Sequence, residues 1–141
     1  MPRPERLRVP GSELGEARFA ALGCEGCHVP DLGEVQGLYS DLLLHDLGSG
    51  LQEEGLGYMS MLASAAAHEG AAAAREWRTP PLWGLRDSAP YLHDGRAATI
   101  DDAIRRHGGE ATAAARAYER LTVAQRAELR AFLTSLVAPG A

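Results

Sequence analysis

The hydrophobic and polar positions near the start of the chain predict one helix followed by a break. Ser12 can cap a helix that runs to about Leu22, and the acidic residues Glu13 and Glu16 in its first turn favour that start. Gly23 is the expected end of this helix. The stretch GCEGCHVP that follows therefore begins where a helix ends.

The last third of the chain has the clearest helical pattern. Thr99 can cap a helix that ends at Gly108, and a second helix is expected over residues 111–121. Thr122 and Gln125 form the capping-box pattern that opens a third helix. Apolar side chains then recur at every third or fourth position, as on a helix face that packs into a core. These positions are Leu129, Phe132, Leu133 and Leu136.

The middle of the chain is irregular by the same criteria. Residues 29–57 and 76–96 are rich in glycine, proline and aspartate, which favour loops, and residues 59–74 are alanine-rich and helix-permissive. No alternating run predicts a strand. The expected fold is mainly α with long irregular loops, in one domain over residues 12–141 that follows an extended arm over residues 1–11.

Composition adds limits on partners and on the core. The hydrophobic fraction is 45%, but much of it is alanine, so a bulky non-protein group would help to fill the centre. The net charge is −5 and the basic residues are scattered, which argues against nucleic acid as a partner. No apolar run approaches the ~18 residues that indicate a membrane span. The first residues also lack the apolar region of a secretory signal.

Cys24 and Cys27 are the only cysteines, and His28 follows the second one directly. On a helical turn the two sulfurs project from the same side, which suits two thioether bonds to one porphyrin, while the imidazole can reach the iron. The C-x-x-C-H pattern is the signature of c-type haem attachment. The motif therefore predicts one covalent haem c, with His28 as an iron ligand.

Three other interpretations of the cysteines are weaker. A thioredoxin-type dithiol is expected at the start of a helix after a strand, and here the cysteines follow a helix. A zinc site would have to recruit a distant histidine at spacings that match no common zinc finger. A structural disulfide would leave His28 unexplained.

The iron's second axial position has several candidates. On the helix from Thr99, His107 continues the apolar stripe of Ile100, Ala103 and Ile104, so its imidazole is directed at the core. His107 is therefore the expected distal ligand. The rivals are Met59 and Met61, because thioether ligation is common in electron-carrying cytochromes.

Two further histidines lie in loops, each directly before an aspartate. His45 is expected to be a polar loop residue with local hydrogen bonds. His93, with Tyr91 and Arg96 nearby, is a candidate haem-contacting residue. Arg96 can hold a haem propionate through a charge-assisted hydrogen bond.

The run TPPLWGLRDSAPYLHDGRAATIDDAI resembles the C-terminal haem domain of the bacterial di-haem cytochrome c peroxidase superfamily. The segments GCEGCHVP, YSDLLLHDLG, EWRTPPLWGL and HGGEA are most similar to its di-haem thiol oxidoreductase-like branch. The similarity extends from about residue 11 to residue 137 and keeps the motifs in order. Members are much longer and carry a second haem in an N-terminal domain, to which nothing in these 141 residues corresponds.

The resemblance implies site residues. Cys24 and Cys27 match the thioether cysteines, and His28 matches the proximal ligand. His107 takes the distal position, where the peroxidases usually have methionine and the thiol oxidoreductase-like branch has histidine. The segment that contains Tyr91, His93 and Arg96 matches one that lies near the haem in the family.

These expectations lead to a function. An iron held by two imidazoles is closed to substrate, so electron transfer by a cytochrome c domain is the first hypothesis. The alternative is a fragment or subunit of a di-haem peroxidase or thiol oxidoreductase, or a haem module whose distal ligand can be displaced. The partner would be a redox protein or a second haem domain. The family implies covalent haem attachment in the periplasm, so we expect an exported protein whose leader was removed or a domain of a longer exported chain.

Overall fold

The computed structural model of the chain describes residues 4–52 and 75–139. These residues form a mainly helical structure with little sheet. The helices are α1 (Ser12–Ala21), α2 (Ile100–Arg105), α3 (Thr112–Glu119) and α4 (Val123–Ser135). Within these described ranges, no helix combines the length and the apolar character needed to cross a bilayer.

Helices α1 and α4 pack tightly against each other. A Cβ added at Gly15 of α1 would lie 2.0 Å from the Glu128 carbonyl oxygen and 2.7 Å from the Phe132 Cβ, so only glycine fits this contact. Around the contact lies the core, to which α4 contributes three of the four expected apolar positions, and the fourth, Leu136, follows directly after the helix. The buried core cluster consists of Phe19, Tyr39, Leu82, Ile100, Tyr118, Leu129, Phe132, Leu133 and Leu136.

The ends of the helices agree with the sequence in part. The capping box of Thr122 and Gln125 is formed, with the Gln125 backbone N–H donating to the Thr122 hydroxyl at 3.2 Å. The expectation that Ser12 caps α1 is wrong. Gly11 occupies the cap with φ +83° and no side chain caps the helix, because the left-handed conformation favours glycine there.

The region after α2 also differs from its prediction. Thr99 caps α2 as expected, but the helix ends at Arg105 and not at Gly108. A short 3-10 helix over Gly109–Ala111 then precedes α3, which is shorter than the expected 111–121. Glycine is unfavourable inside a helix, so Gly108 and Gly109 separate the end of α2 from the start of α3.

Four short strands within residues 4–52 and 75–139 correct the expectation of no strands. β1 (Asp31–Leu32) and β2 (Val35–Gln36) form one antiparallel pair, and β3 (Leu44–Asp46) and β4 (Glu76–Arg78) form another. β4 also lies in a stretch that was expected to be wholly irregular. Strands of two or three residues are too short to show an alternating pattern, so the sequence carried no signal for them.

The loop after α2 packs directly on β3. A Cβ at Gly109, where φ is +52°, would lie 2.1 Å from the Asp46 carbonyl oxygen. Only glycine allows this approach, and it sets the segment that follows His107 beside the strand that carries His45.

The N-terminal arm has no regular secondary structure over residues 4–9 and lies against the end of α4. The Leu7 backbone N–H donates to the Ser135 carbonyl at 3.0 Å. The division into an arm over residues 1–11 and a domain over residues 12–141 stays a prediction.

Candidate haem site

The two cysteines lie on a single turn directly after α1. Gly23 ends the helix with φ +83°, and a 3-10 turn covers Cys24–Gly26. The His28 backbone N–H donates to the Cys24 carbonyl at 3.0 Å, which closes the turn. Both thiols are half-buried and are not joined in a disulfide.

The environment of the thiols does not suit a redox-active dithiol. Burial raises the pKa of Cys24 to about 11. Burial also raises the pKa of Cys27, and the negative charges of Asp41 and Glu110 add to the effect. Catalytic C-x-x-C pairs have a lowered pKa, because the thiolate is the reactive form. The local electrostatics therefore argue against thioredoxin-type chemistry.

The His28 imidazole is oriented by a backbone carbonyl. Its Nδ1 lies 2.9 Å from the Tyr39 carbonyl oxygen, which can only accept, so Nδ1 carries the proton and Nε2 keeps its lone pair. Burial lowers the pKa of His28 to about 4, against the opposing effect of this hydrogen bond. The ring is therefore neutral near pH 7, as a metal-binding imidazole must be.

His107 has the same arrangement at the end of α2. Its Nδ1 lies 2.8 Å from the Ala103 carbonyl oxygen, and burial lowers its pKa. A positive charge on His107 would lower the pKa of His28 further. Within residues 4–52 and 75–139, Nε2 of neither ring forms a hydrogen bond.

This donor set fits a c-type haem. Two thiols on one turn and two neutral imidazoles with unprotonated Nε2 atoms are the groups that such a haem needs. The rival ligands Met59 and Met61 lie outside the described residues. The distal assignment therefore stays a prediction.

A second polar cluster lies beside Cys27. Ligand atoms of Cys27, Asp41 and His45 lie within 4.8 Å of one another, the one such group in the part of the chain that the structure describes. His45 Nε2 is 2.7 Å from Asp41 Oδ2, and its Nδ1 is 2.9 Å from Glu110 Oε2. The hydrogen bonds that His45 donates to the carboxylates of Glu110 and then Asp41 raise its pKa.

The expected local hydrogen bond of His45 is confirmed by its contact with Asp41, four residues away. The expectation that His45 lies in a loop is wrong, because it lies in β3, where it pairs with Trp77. Its contact with Glu110, 65 residues away, could not be predicted from the sequence. The one hint was that both residues lie in segments that resemble the family, YSDLLLHDLG and HGGEA. Cys24 is not part of this cluster, so the group does not form a zinc site that uses both cysteines.

Tyr91 and His93 lie in the segment between β4 and α2. Tyr91 and Cys24 both pack against the buried core cluster. His93 stacks on Trp77 with ring centroids 3.5 Å apart, and Trp77 Nε1 donates to the Leu51 carbonyl at 3.0 Å. Haem contact by Tyr91 or His93 stays a prediction.

Arg96 is engaged within the chain. Its Nε donates to Asp94 Oδ2 at 2.5 Å, and its Nη1 and Nη2 donate to the carbonyl oxygens of Gly50 and Gln52 at 2.9 and 3.4 Å. These bonds tie its loop to residues 50–52. A propionate would have to share this guanidinium, so that role also stays a prediction.

A sequence model of the family described as "Di-haem oxidoreductase, putative peroxidase" matches residues 4–136. The chain belongs to this family. The resemblance noted in the sequence is thereby confirmed. No curated protein sequence matches the chain at a significant level.

Two solved structures share the fold of this di-haem oxidoreductase family member. Hydrazine synthase of Kuenenia stuttgartiensis has a TM-score of 0.62 and 22% identity, over 95% of this chain and 50% of that one. A MauG-like protein associated with microbial copper homeostasis has a TM-score of 0.57 and 22% identity, over 93% of this chain and 48% of that one. The chain thus spans about half the length of these proteins.

Proposed function

We propose that this chain is an electron-transfer c-type cytochrome domain with one haem attached through Cys24 and Cys27. His28 and His107 are its axial ligands. The observation that carries the proposal is the matched geometry of the two imidazoles. Each gives its Nδ1–H to a backbone carbonyl and keeps an unprotonated Nε2.

The bound haem would supply one-electron exchange between Fe(II) and Fe(III). The residues around the haem would attach it and orient its two ligands. The thiols of Cys24 and Cys27 hold the group covalently, and the hydrogen bonds to the Tyr39 and Ala103 carbonyls fix the orientation of both rings. Because burial keeps His28 and His107 neutral, neither ring has to lose a proton to act as a ligand.

Haem attachment is tested by expressing the chain together with a c-type maturation system. We expect the intact mass to equal that of the polypeptide plus one haem. This added mass should persist after denaturation, because the bonds are covalent. Replacing both cysteines with alanine should abolish the retained haem. A colourless protein with two free thiols would contradict the proposal.

The axial ligands are tested with carbon monoxide on the reduced protein. If both imidazoles stay bound, carbon monoxide should leave the spectrum unchanged, and His107→Ala should create a binding site for it. His45→Ala is the matched control, because His45 is also a half-buried histidine near Cys27 but has both nitrogens hydrogen-bonded to carboxylates. A His107→Ala spectrum identical to wild type would refute the ligand assignment. A methionine-sulfur charge-transfer band in the far red would assign Met59 or Met61 instead.

The second candidate is an enzymatic one, a subunit or fragment of a di-haem peroxidase-like oxidoreductase. The family description and the half-length coverage of the solved structures support it. In that case the partner is a second haem domain, and the chain alone would relay electrons. Rapid binding of carbon monoxide by the wild-type protein, or peroxide turnover that appears only when a second haem domain is added, would favour this candidate.

The proposed location is the periplasm, because c-type haem attachment in the family takes place outside the bacterial cytoplasm. Cell fractionation with the haem as a marker tests it. Haem-loaded protein in the cytoplasmic fraction would contradict this part of the proposal.

A further inference from the structure

We infer that Tyr39, held in place by Arg6 and Glu16, is a positioning residue that sets the orientation of His28. The inference rests on the proposed role of His28 as an iron ligand. Through Arg6, the N-terminal arm would then influence the reduction potential of the iron. We refer to Arg6, Glu16 and Tyr39 as the arm network.

The backbone of Tyr39 has an unusual conformation. Its φ of +52° lies in the left-handed region, which is uncommon for a bulky aromatic residue. Such a conformation persists only where surrounding contacts enforce it, and it is typical of functional sites. Here it directs the Tyr39 carbonyl to His28 Nδ1 at 2.9 Å.

Backbone hydrogen bonds on either side hold this segment against the haem-binding motif. The Ser40 N–H donates to the Val29 carbonyl and the Asp41 N–H to the Cys27 carbonyl, each at 2.9 Å. The Tyr39 N–H donates to the Pro30 carbonyl at 3.3 Å. The carbonyl of Tyr39 is therefore aligned with the motif by its neighbours as well as by its own side chain.

The side chain of Tyr39 is completely buried and held from several directions. Its ring packs edge-on against Phe19 and Phe132, with centroids 5.8 and 5.4 Å away. Its hydroxyl donates to Glu16 Oε1 at 2.8 Å and also accepts a hydrogen bond from Arg6 Nη2. A buried tyrosine whose ring and hydroxyl are both engaged cannot turn without breaking these contacts.

Arg6 completes the arm network. Its guanidinium donates to both carboxylate oxygens of Glu16, at 2.5 and 2.6 Å, and lies 5.3 Å from the centre of the Phe132 ring. A bidentate arginine–carboxylate bond fixes geometry as well as charge. The arm is thus connected through Arg6 and Tyr39 to the ring of His28.

The hydrogen bond from His28 Nδ1–H affects the reduction potential of the iron through the imidazole ring. A strong acceptor at Nδ1 makes Nε2 a better donor and stabilises Fe(III) over Fe(II). If Arg6 or the Tyr39 hydroxyl is lost, the Tyr39 carbonyl can move and the bond to His28 weakens. The reduction potential should then rise.

The test compares Arg6→Met and Tyr39→Phe with the control Arg18→Met in haem-loaded protein. Arg18 also joins a glutamate, because its Nε donates to Glu128. The side chains of Arg18 and Glu128 are 28% and 24% exposed, against 26% and 36% for Arg6 and Glu16, so the two ion pairs are similarly accessible. The Arg18 ion pair connects α1 with α4 and does not include Tyr39.

We expect Arg6→Met and Tyr39→Phe each to raise the ratio of reduced to oxidised protein about tenfold at a fixed ambient potential. That change equals ~59 mV for a one-electron couple. Arg6→Lys, which keeps the charge but loses the bidentate bond, should give a smaller change of the same sign. Arg18→Met should lower stability without moving the potential. If the variants changed the potential only because they are less stable, Arg18→Met would change it as well.

Equal potentials in wild type, Arg6→Met and Tyr39→Phe, all carrying covalent haem, would overturn the inference and leave the proposed function standing. Wild-type protein without covalent haem would overturn the proposed function and the inference with it. If Tyr39→Phe does not fold, Arg6→Met and Glu16→Gln decide, because both positions are partly exposed. In wild type, the Nδ1–H proton of His28 should exchange slowly with solvent in NMR spectra, and faster in Arg6→Met. Unchanged exchange together with an unchanged potential would also overturn the inference.

Discussion

Gly15 allows the close contact between α1 and α4, and Gly15→Ala should therefore destabilise the protein. The new Cβ would lie 2.0 Å from the Glu128 carbonyl oxygen and 2.7 Å from the Phe132 Cβ. Ordinary contact distances are about 3.5 Å or more, so the helices would have to separate by about 1 Å or more. Both neighbours are held by the backbone of α4, which prevents a local rearrangement of a flexible side chain.

The magnitude follows from two opposing effects. Overpacking a well-packed contact costs ~1–3 kcal/mol, and contact with backbone atoms places Gly15→Ala near the upper end. Alanine gains ~1 kcal/mol over glycine in a helix interior. We therefore expect a net loss of about 2 kcal/mol in the free energy of unfolding.

Urea denaturation followed by circular dichroism measures this loss as a lower midpoint with an unchanged m-value. Gly50→Ala is the control, because no atom lies within 4 Å of its added Cβ and its φ is not positive. That variant should stay within about 0.5 kcal/mol of wild type. A Gly15→Ala protein as stable as wild type, or more stable, would refute the packing argument.

Three further predictions concern α4 and the cluster beside Cys27. Thr122→Ala removes the capping box of α4 and should cost ~1 kcal/mol in urea denaturation, whereas an unchanged midpoint would mean that the cap contributes nothing. Phe132→Ala leaves a cavity in the fully buried core and should cost ~3–5 kcal/mol; a loss below 1 kcal/mol would show that the site collapses. The hydrogen bonds that His45 donates to Glu110 and Asp41 raise its pKa above 6.5. The stabilising contribution of His45 is therefore complete below pH 6.5 and is lost as the pH rises through the raised value. His45→Gln should flatten this fall in thermal melts above pH 6.5, and an unchanged slope would assign the fall to other groups.

Local chemistry was predictable from sequence where it depends on neighbours a few residues apart. The capping box of Thr122 and the buried face of α4 follow from spacings of three and four residues. The cap of α1 was not predictable in the same way. Ser12 is a good capping residue, but the left-handed conformation available to Gly11 moved the helix start by one position.

The candidate site was predictable only as a set of residue types. The sequence points to Cys24, Cys27 and His28 because their spacing has one well-supported use. It contained no signal that the Tyr39 carbonyl would orient His28, since a backbone acceptor has no residue type. The short strands were missed because two or three residues cannot establish a period.

The sequence by itself determined the C-x-x-C-H motif, the helices near the two ends of the chain and the family, since all of these depend on residue types at fixed local spacings. Only the tertiary structure decided which distant groups surround the motif: the carboxylate of Glu110 at His45, and Arg6 at Tyr39. The physical reason is that the pattern of apolar residues indicates which face of a helix is buried, but not which residues pack against that face. Partners are selected by close contacts such as that of Gly15 with α4, which exist only after the chain has folded.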